Sequence, residues 1–165
     1  RSTPEITDMF CGLLEERERI LTSSVQRAGC APQISVLETR GEWQASLEES
    51  VREGVEETAN GWLTAIVTNS KQTAKQIAKA LGDEAQLVKS DAQLPGSGVV
   101  VLDLPLAKGL EFDHVIIPDA DATTYPANPL SRRRMYTALS RATQRVSILA
   151  LGQLTELLQN QPLSR

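Results

Sequence analysis

Two short, almost wholly apolar runs place the strongest constraint on how this chain folds. Residues 99–102 read Val-Val-Val-Leu, and residues 114–118 read His-Val-Ile-Ile-Pro. A strand without polar alternation has to be covered on both faces, which is typical of a parallel sheet between two layers of helices. The two runs therefore predict buried strands of an α/β domain.

Segments with helical periodicity alternate with further strand-like runs, which supports the same fold class. Strands are predicted over residues 34–39, 63–68 and 146–150, with a short one at 86–88. Helices are predicted over residues 3–21, 43–59, 71–81, 130–142 and 151–159, and a turn is expected at 40–42. At 165 residues the chain is about one domain, and sheets of this kind usually bind ligands at the carboxyl ends of their strands.

Composition excludes several classes of site. The net charge of −4 argues against a broadly basic surface, so any nucleic-acid contact has to be local. One histidine and two cysteines without ligand spacing exclude a zinc site. No run approaches the roughly 20 apolar residues that a membrane span needs. The polar N-terminus lacks a signal sequence, and the free thiols suit a cytoplasmic protein.

The first candidate site is the segment 107–113, which reads Ala-Lys-Gly-Leu-Glu-Phe-Asp. Gly109 allows the backbone to approach a ligand closely, and Lys108 offers a mobile positive charge for a phosphate. Glu111 is close enough in sequence to accept a hydrogen bond from a sugar hydroxyl. The alternative is an ordinary surface turn between two strands, with both charged side chains in water.

The second candidate site is the arginine-rich helix 130–142. Arg134 and Arg141 recur at helical spacing, and the small Ala138 between them is expected to leave that face open for a phosphate. The alternative is that the arginines only solubilise the helix, which is favoured for Arg132 and Arg133. The predicted buried stripe is Met135, Leu139 and Ala142.

The chain has no G-x-x-x-x-G-K-[ST] phosphate loop and no pair of acidic residues placed to hold Mg²⁺. It therefore cannot bind a nucleoside triphosphate and its metal alone. If it acts on a nucleotide, it does so together with another domain. The absence of an initial methionine supports the expectation that the chain is a fragment of a larger protein.

These segments resemble motifs of the UvrD/Rep-like superfamily 1 helicases. Residues 107–113 resemble motif V, and residues 136–142, Tyr-Thr-Ala-Leu-Ser-Arg-Ala, resemble motif VI. Residues 1–3, Arg-Ser-Thr, are similar to the end of motif IV. The resemblance implies that residues 1–165 form a single C-terminal RecA-like domain, the second of the two in these motors, which lacks its own phosphate loop.

The resemblance also implies roles for individual residues. Arg141 and Arg1 match arginines that reach the γ-phosphate of ATP, and Glu111 matches the acid that contacts the ribose. Lys108 and Gly109 match the part of motif V that joins the nucleotide cleft to the nucleic-acid track. Asp103 and Arg134 are expected on the nucleic-acid or coupling side. ATP and Mg²⁺ are the implied cofactors, the metal being held by an N-terminal RecA-like domain.

Two departures from the family pattern refine the expected function. Asp103 and Pro105 stand where the translocating members usually have Thr-x-His, and the short spacing before motif V leaves no room for an inserted subdomain. The chain is therefore most similar to the helicase IV-like (HelD) branch. The leading expectation is the C-terminal motor domain of an ATP-dependent DNA helicase that acts on single-stranded DNA. The alternatives are an ATPase that remodels RNA polymerase and a non-catalytic protein-binding domain.

Overall fold

The computed structural model describes residues 33–90 and 93–159. The predicted helix over 3–21 and the candidate residue Arg1 lie outside these ranges. The strands are β1 (Gln33–Leu37), β2 (Leu63–Thr68), β3 (Gln86–Leu87), β4 (Gly98–Asp103), β5 (Phe112–Ile117) and β6 (Ala142–Leu151). The α-helices are α1 (Arg40–Glu57), α2 (Lys71–Leu81), α3 (Leu104–Ala107) and α4 (Pro129–Ser140). Short 3₁₀ turns follow α1, α2 and β6 at Thr58–Asn60, Gly82–Glu84 and Glu156–Leu158.

The strands form one six-stranded sheet in the order β1-β6-β5-β2-β4-β3, and every pair of neighbours is parallel. The predicted α/β fold with a mostly parallel sheet is therefore confirmed. The two apolar runs recognised in the sequence form β4 and β5, which both have a neighbouring strand on each side, and Val101 and Ile116 are fully buried there. Burial on both faces explains why these strands show no polar alternation.

Within the described ranges, each face of the sheet carries two helices. On one face, Ile66 and Ile116 pack against Leu47 and Val51 of α1 and Ile77 of α2. The other face packs against α3 and α4 and contributes alternate residues of the same strands to a larger core. The main members of that core are Val67, Leu102, Val115, Ile117, Met135, Leu139 and Ile148.

Local capping explains where the helices begin. The Thr39 hydroxyl accepts a hydrogen bond from the backbone N–H of Glu42 at 3.2 Å, so α1 begins at Arg40 and the expected turn at 40–42 is wrong. The Ser70 hydroxyl caps α2 in the same way, and α2 ends at Gly82, where φ is +60°. The predicted bounds of α2 are confirmed.

The predicted helix over residues 151–159 is wrong. The chain leaves β6 at Leu151, turns at Gly152 with φ +88°, and then forms only the turn Glu156–Leu158. The N–H of Thr155 donates to the carbonyl of Ala120 at 2.9 Å, which fixes this segment against the loop after β5. Leu154 and Leu158 are both buried in the core on the α4 face.

Candidate nucleotide site at the amino edge of the sheet

Glu111 and Arg141 come together because each immediately precedes a strand. Glu111 leads into β5 and Arg141 leads into β6, and these two parallel strands are neighbours. Phe112 pairs with Ala142, and its backbone N–H donates to the carbonyl of Arg141 at 2.8 Å. Both candidate residues therefore lie at the amino edge of the sheet. The edge expected from the general rule for such folds was the carboxyl edge.

Motif V crosses the molecule from one edge of the sheet to the other. Asp103 ends β4 at the carboxyl edge, α3 follows, and Gly109 then turns the chain toward β5 with φ +84°. The N–H of Leu110 donates to the carbonyl of Ala107 at 3.0 Å and closes this turn. Lys108 and Glu111 are both exposed. The turn is thus present as predicted, and its charged side chains are accessible.

The backbone of Arg141 is hydrogen-bonded to its neighbours, whereas its guanidinium group makes only part of its possible hydrogen bonds. It is the C-terminal cap of α4, and its guanidinium Nη2 donates to the Ser140 hydroxyl at 3.2 Å. Its Nε is buried and finds no acceptor among the described residues. A buried donor without a partner is costly, and it often marks a group that is meant for a ligand. The side chain is therefore suited to binding an anion.

The open face expected between Arg134 and Arg141 does not form. Ala138 is fully buried with Met135 and Leu139 in the core, so it belongs to the packed side of α4. Arg134 donates from Nη1 to the side-chain oxygen of Asn69 at 2.8 Å, and Asn69 follows β2 at the carboxyl edge. Because α4 runs from the carboxyl edge toward the amino edge, the two arginines serve different ends of the sheet.

Two buried carboxyl groups, those of Asp103 and Asp119, lie at the carboxyl edge beside β2. Asp103, paired with Thr68 of β2, is 7% exposed, and its Oδ1 has no partner within the described part of the chain. Asp119 follows β5, and its Oδ2 accepts from the N–H of Asn69 at 2.9 Å. Burial raises the pKa of Asp119 to about 7, and the charge of the nearby Asp121 adds to the rise. The sequence did not predict a role for Asp119 at this edge.

A second group of polar residues was also missed. His114, read as part of an apolar strand, is fully buried with Nδ1 2.8 Å from Glu57 Oε1 and Nε2 2.8 Å from the Ser147 hydroxyl. Arg145 donates to the other oxygen of Glu57 at 3.1 Å and also pairs with Glu53. Burial raises the pKa of Glu57, but the hydrogen bonds and charges of His114 and Arg145 outweigh burial and lower it. The only hint in the sequence was a lone histidine inside an apolar run.

The described residues contain neither a cluster of metal-ligating side chains nor a helix that could span a membrane. Within 33–90 and 93–159, no group of three or more His, Cys, Asp or Glu side chains is placed to hold a metal ion. No helix in the same ranges has the length and apolar character to cross a bilayer. The described residues around Glu111 and Arg141 therefore include no set of side chains that fits Mg²⁺.

Comparison with known proteins supports a helicase family. Residues 98–149 match the family model of the UvrD-like helicase C-terminal domain. The match spans β4 to most of β6 and so includes the segments that resemble motifs V and VI. No curated protein matches the chain significantly.

The matches among solved structures include one strong and two weaker ones. The C-terminal domain of a possible DNA helicase from Lactobacillus plantarum WCFS1 is 30% identical, with a TM-score of 0.78, over 96% of this chain and 91% of that one. The PRRSV nsp10 helicase (15% identity, TM-score 0.49) is matched over 80% of this chain and 30% of its own. The C-terminal part of the Fun30 ATPase domain is 11% identical, with a TM-score of 0.42, over 87% of this chain and 59% of that one. Assignment to the helicase IV-like branch stays a prediction. Because the first relative is 30% identical over nearly the whole of both chains, this chain belongs to the UvrD-like helicase C-terminal domain family.

Proposed function

We propose that this chain is the C-terminal motor domain of an ATP-dependent DNA helicase or translocase. In this proposal, ATP binds between the amino edge of the sheet and an N-terminal RecA-like domain of the same protein. The observation that supports it most directly is the placement of Glu111 and Arg141 side by side, tied through the hydrogen bond between Phe112 and Arg141. The two residues thus precede adjacent strands, and in this proposal one nucleotide contacts both.

Arg141 would act on the phosphates. Its guanidinium has spare donors, since Nη2 bonds only the neighbouring Ser140 hydroxyl and the buried Nε lacks a described partner. When the γ-phosphoryl group is transferred to water, negative charge spreads over its oxygens, and a fixed guanidinium stabilises that charge. Arginines supplied across an interface in this way contribute about 10³–10⁵ to turnover in other nucleotide hydrolases.

Glu111 would select the nucleotide, and the metal would come from elsewhere. Its exposed carboxylate can accept hydrogen bonds from the ribose hydroxyls. These bonds would hold the nucleoside in place and would take no part in the hydrolysis step. Mg²⁺, when bound, would neutralise phosphate charge, and its ligands would belong to the N-terminal domain. This division of labour agrees with the absence of a phosphate loop in the sequence.

Motif V would couple the nucleotide to single-stranded DNA. It runs from Asp103 at the carboxyl edge, through α3 and Lys108, to the turn at Gly109 that leads into Glu111. A shift of Glu111 on ATP binding would therefore be carried by a short, continuous segment to the other edge. There, Asp103 and the Arg134–Asn69 pair would meet the nucleic acid.

ATP turnover by the full-length protein tests this function. The wild type should hydrolyse ATP faster with single-stranded DNA, and Arg141→Ala should lower turnover at least about 10³-fold while leaving the protein folded. Arg133→Ala is the matched control, because Arg133 is an exposed arginine of the same helix. The 165-residue chain alone should fold without turnover.

The other outcomes separate the alternatives. Turnover that depends on Arg141 but ignores DNA would favour an ATPase that acts on RNA polymerase. Unchanged turnover in Arg141→Ala would contradict the proposed function. Complete insensitivity of the protein to nucleotides would favour a non-catalytic protein-binding domain.

A further inference from the structure

Glu57, His114 and Arg145 form a polar clamp at the amino ends of β5 and β6, on the face opposite α4. One carboxylate of α1, Glu57, contacts both strands: its Oε1 lies 2.8 Å from His114 Nδ1, and its Oε2 accepts from Arg145 Nη1 at 3.1 Å. His114 and Arg145 are paired directly across the two strands. Glu57 therefore joins one residue of each strand at the same register position.

The clamp lies immediately behind the candidate site. Phe112 pairs with Ala142, and the next pair is His114 with Arg145, so β6 advances by three residues where β5 advances by two. This irregularity falls between the clamp and Arg141. Irregularities of this kind bend a strand and redirect side chains, and they are frequent beside functional sites. Here the irregularity falls between the pairs Phe112–Ala142 and His114–Arg145, directly after Arg141.

The irregularity also changes which face each residue of β5 occupies. Phe112 joins the core under α4, whereas His114 points to α1 on the opposite face, although residues two apart in a regular strand share a face. Two hydrogen bonds help to hold the strand ends together on the site side of the irregularity. They are the Phe112–Arg141 backbone bond and the bond from the Thr143 hydroxyl to the Phe112 carbonyl at 3.2 Å.

From this geometry we propose that Glu57 is a positioning residue for Arg141, acting through His114 and Arg145 to fix the irregular pairing of β5 and β6. The inference rests on the proposed function of Arg141. Apolar residues in place of Glu57, His114 and Arg145 would avoid the free-energy cost of desolvating polar groups. They would not fix the register of β5 against β6. Slippage by one residue would turn Arg145 into the core on the α4 face, so the charged clamp excludes that alternative.

Kinetics of the full-length protein test the inference. Glu57→Gln removes the charge that holds both partners, and Glu56→Gln is the control because Glu56 is the exposed neighbour in the same helix. Glu57→Gln should lower kcat about 10- to 100-fold, the loss typical of a displaced catalytic group, and change the KM for ATP much less. In single-turnover experiments on an Arg141→Ala background, it should cause no further loss, because its effect passes through Arg141.

Hydrogen–deuterium exchange supplies a readout that does not need activity. The Phe112 amide, bonded to the Arg141 carbonyl, should exchange about tenfold faster in Glu57→Gln than in Glu56→Gln, while amides of β4 stay protected. If Glu57→Gln does not fold, Ser147→Ala, which removes only the hydroxyl beside His114 Nε2, should show the same local increase.

The outcomes are distinct from those of the proposed function. Equal kcat losses from Glu57→Gln with and without Arg141, or unchanged Phe112 exchange in the folded variants, would overturn the positioning role. Turnover that survives Arg141→Ala would overturn the proposed function instead. The exchange data would then still report whether the clamp holds the strand ends.

Discussion

Phe112 and Arg141 are joined by a single backbone hydrogen bond, 2.8 Å from the amide nitrogen of Phe112 to the carbonyl oxygen of Arg141. The residue before Phe112 is Glu111, so this bond fixes the distance between the candidate ribose contact and the candidate phosphate contact. In the proposed function, a nucleotide that spans the two would be bound where β5 and β6 begin.

Glu111→Ala should weaken ATP binding more than DNA binding. Loss of a charged hydrogen bond to a ribose hydroxyl is expected to raise the KM for ATP about tenfold or more and to leave kcat nearly unchanged. The loss should shrink for 2′-deoxy-ATP or 3′-deoxy-ATP, whichever lacks the hydroxyl that Glu111 contacts. Steady-state ATPase kinetics and a DNA-binding titration of the full-length protein measure both effects.

Glu156→Gln is the matched control for that comparison, since Glu156 is an exposed carboxylate in the turn after β6. Equal losses of ATP and DNA binding in Glu111→Ala would remove its role at the ribose. An equal effect of the variant on ATP and on both deoxy analogues would do the same.

Gly109→Ala should destabilise the turn of motif V through its backbone alone. The φ of Gly109 is +84°, a conformation that costs an L-residue about 1–2 kcal/mol, whereas an added Cβ would meet nothing within 4 Å. Gly41→Ala is a matched control, because an added Cβ there is equally free of contacts and Gly41 sits in α1 at negative φ. Urea unfolding should show a loss for Gly109→Ala and none for Gly41→Ala.

The same pair of variants reports on coupling. In the full-length protein, Gly109→Ala should reduce the stimulation of ATPase by single-stranded DNA, since the turn links Glu111 to the carboxyl edge. Equal stabilities of the two alanine variants would show that the positive φ is not required.

Local patterns predicted those parts of the fold that depend on neighbours in sequence. Ser70 and Gly82 bound α2 as expected, and the uniform apolarity of residues 99–102 revealed a strand buried on both faces. Motif V likewise predicted Glu111 and Gly109 in one turn, because the segment is continuous.

What the sequence could not reveal depends on partners far apart in the chain. His114 looks like one more member of an apolar strand until Glu57, 57 residues earlier, is brought beside it. Ala138 has the small size of a residue on an open face, yet packing against the sheet places it in the core. The predicted helix 151–159 fails for the same reason, since Leu154 and Leu158 reach the core from a segment that forms only a 3₁₀ turn and is held by a hydrogen bond to the loop after β5.

Asp119→Asn should change how stability depends on pH. In the folded chain, burial raises the pKa of Asp119 to about 7 from an ordinary value of 3.8, so the folded state retains a proton that the unfolded state releases. The stabilising contribution of the Asp119 carboxyl group to the free energy of unfolding is therefore fully present below pH 3.8. It falls as the pH rises from 3.8 to about 7 and no longer changes above pH 7. Asparagine has no proton that titrates in this range, and its side-chain oxygen can still accept the hydrogen bond from the N–H of Asn69. The free energy of unfolding of the variant should therefore not show this fall with pH.

Urea unfolding of the chain at pH 5, 6, 7 and 8 measures this difference. The free energy of unfolding of Asp119→Asn, relative to wild type, should increase steadily from pH 5 to pH 7 and then level off. Asp83→Asn, at an exposed aspartate in the turn after α2, should shift stability by a constant amount across the series. A constant offset for Asp119→Asn as well would mean that the carboxyl group is already ionised in the folded chain at pH 5, and that the polar groups at the carboxyl edge hold its charge.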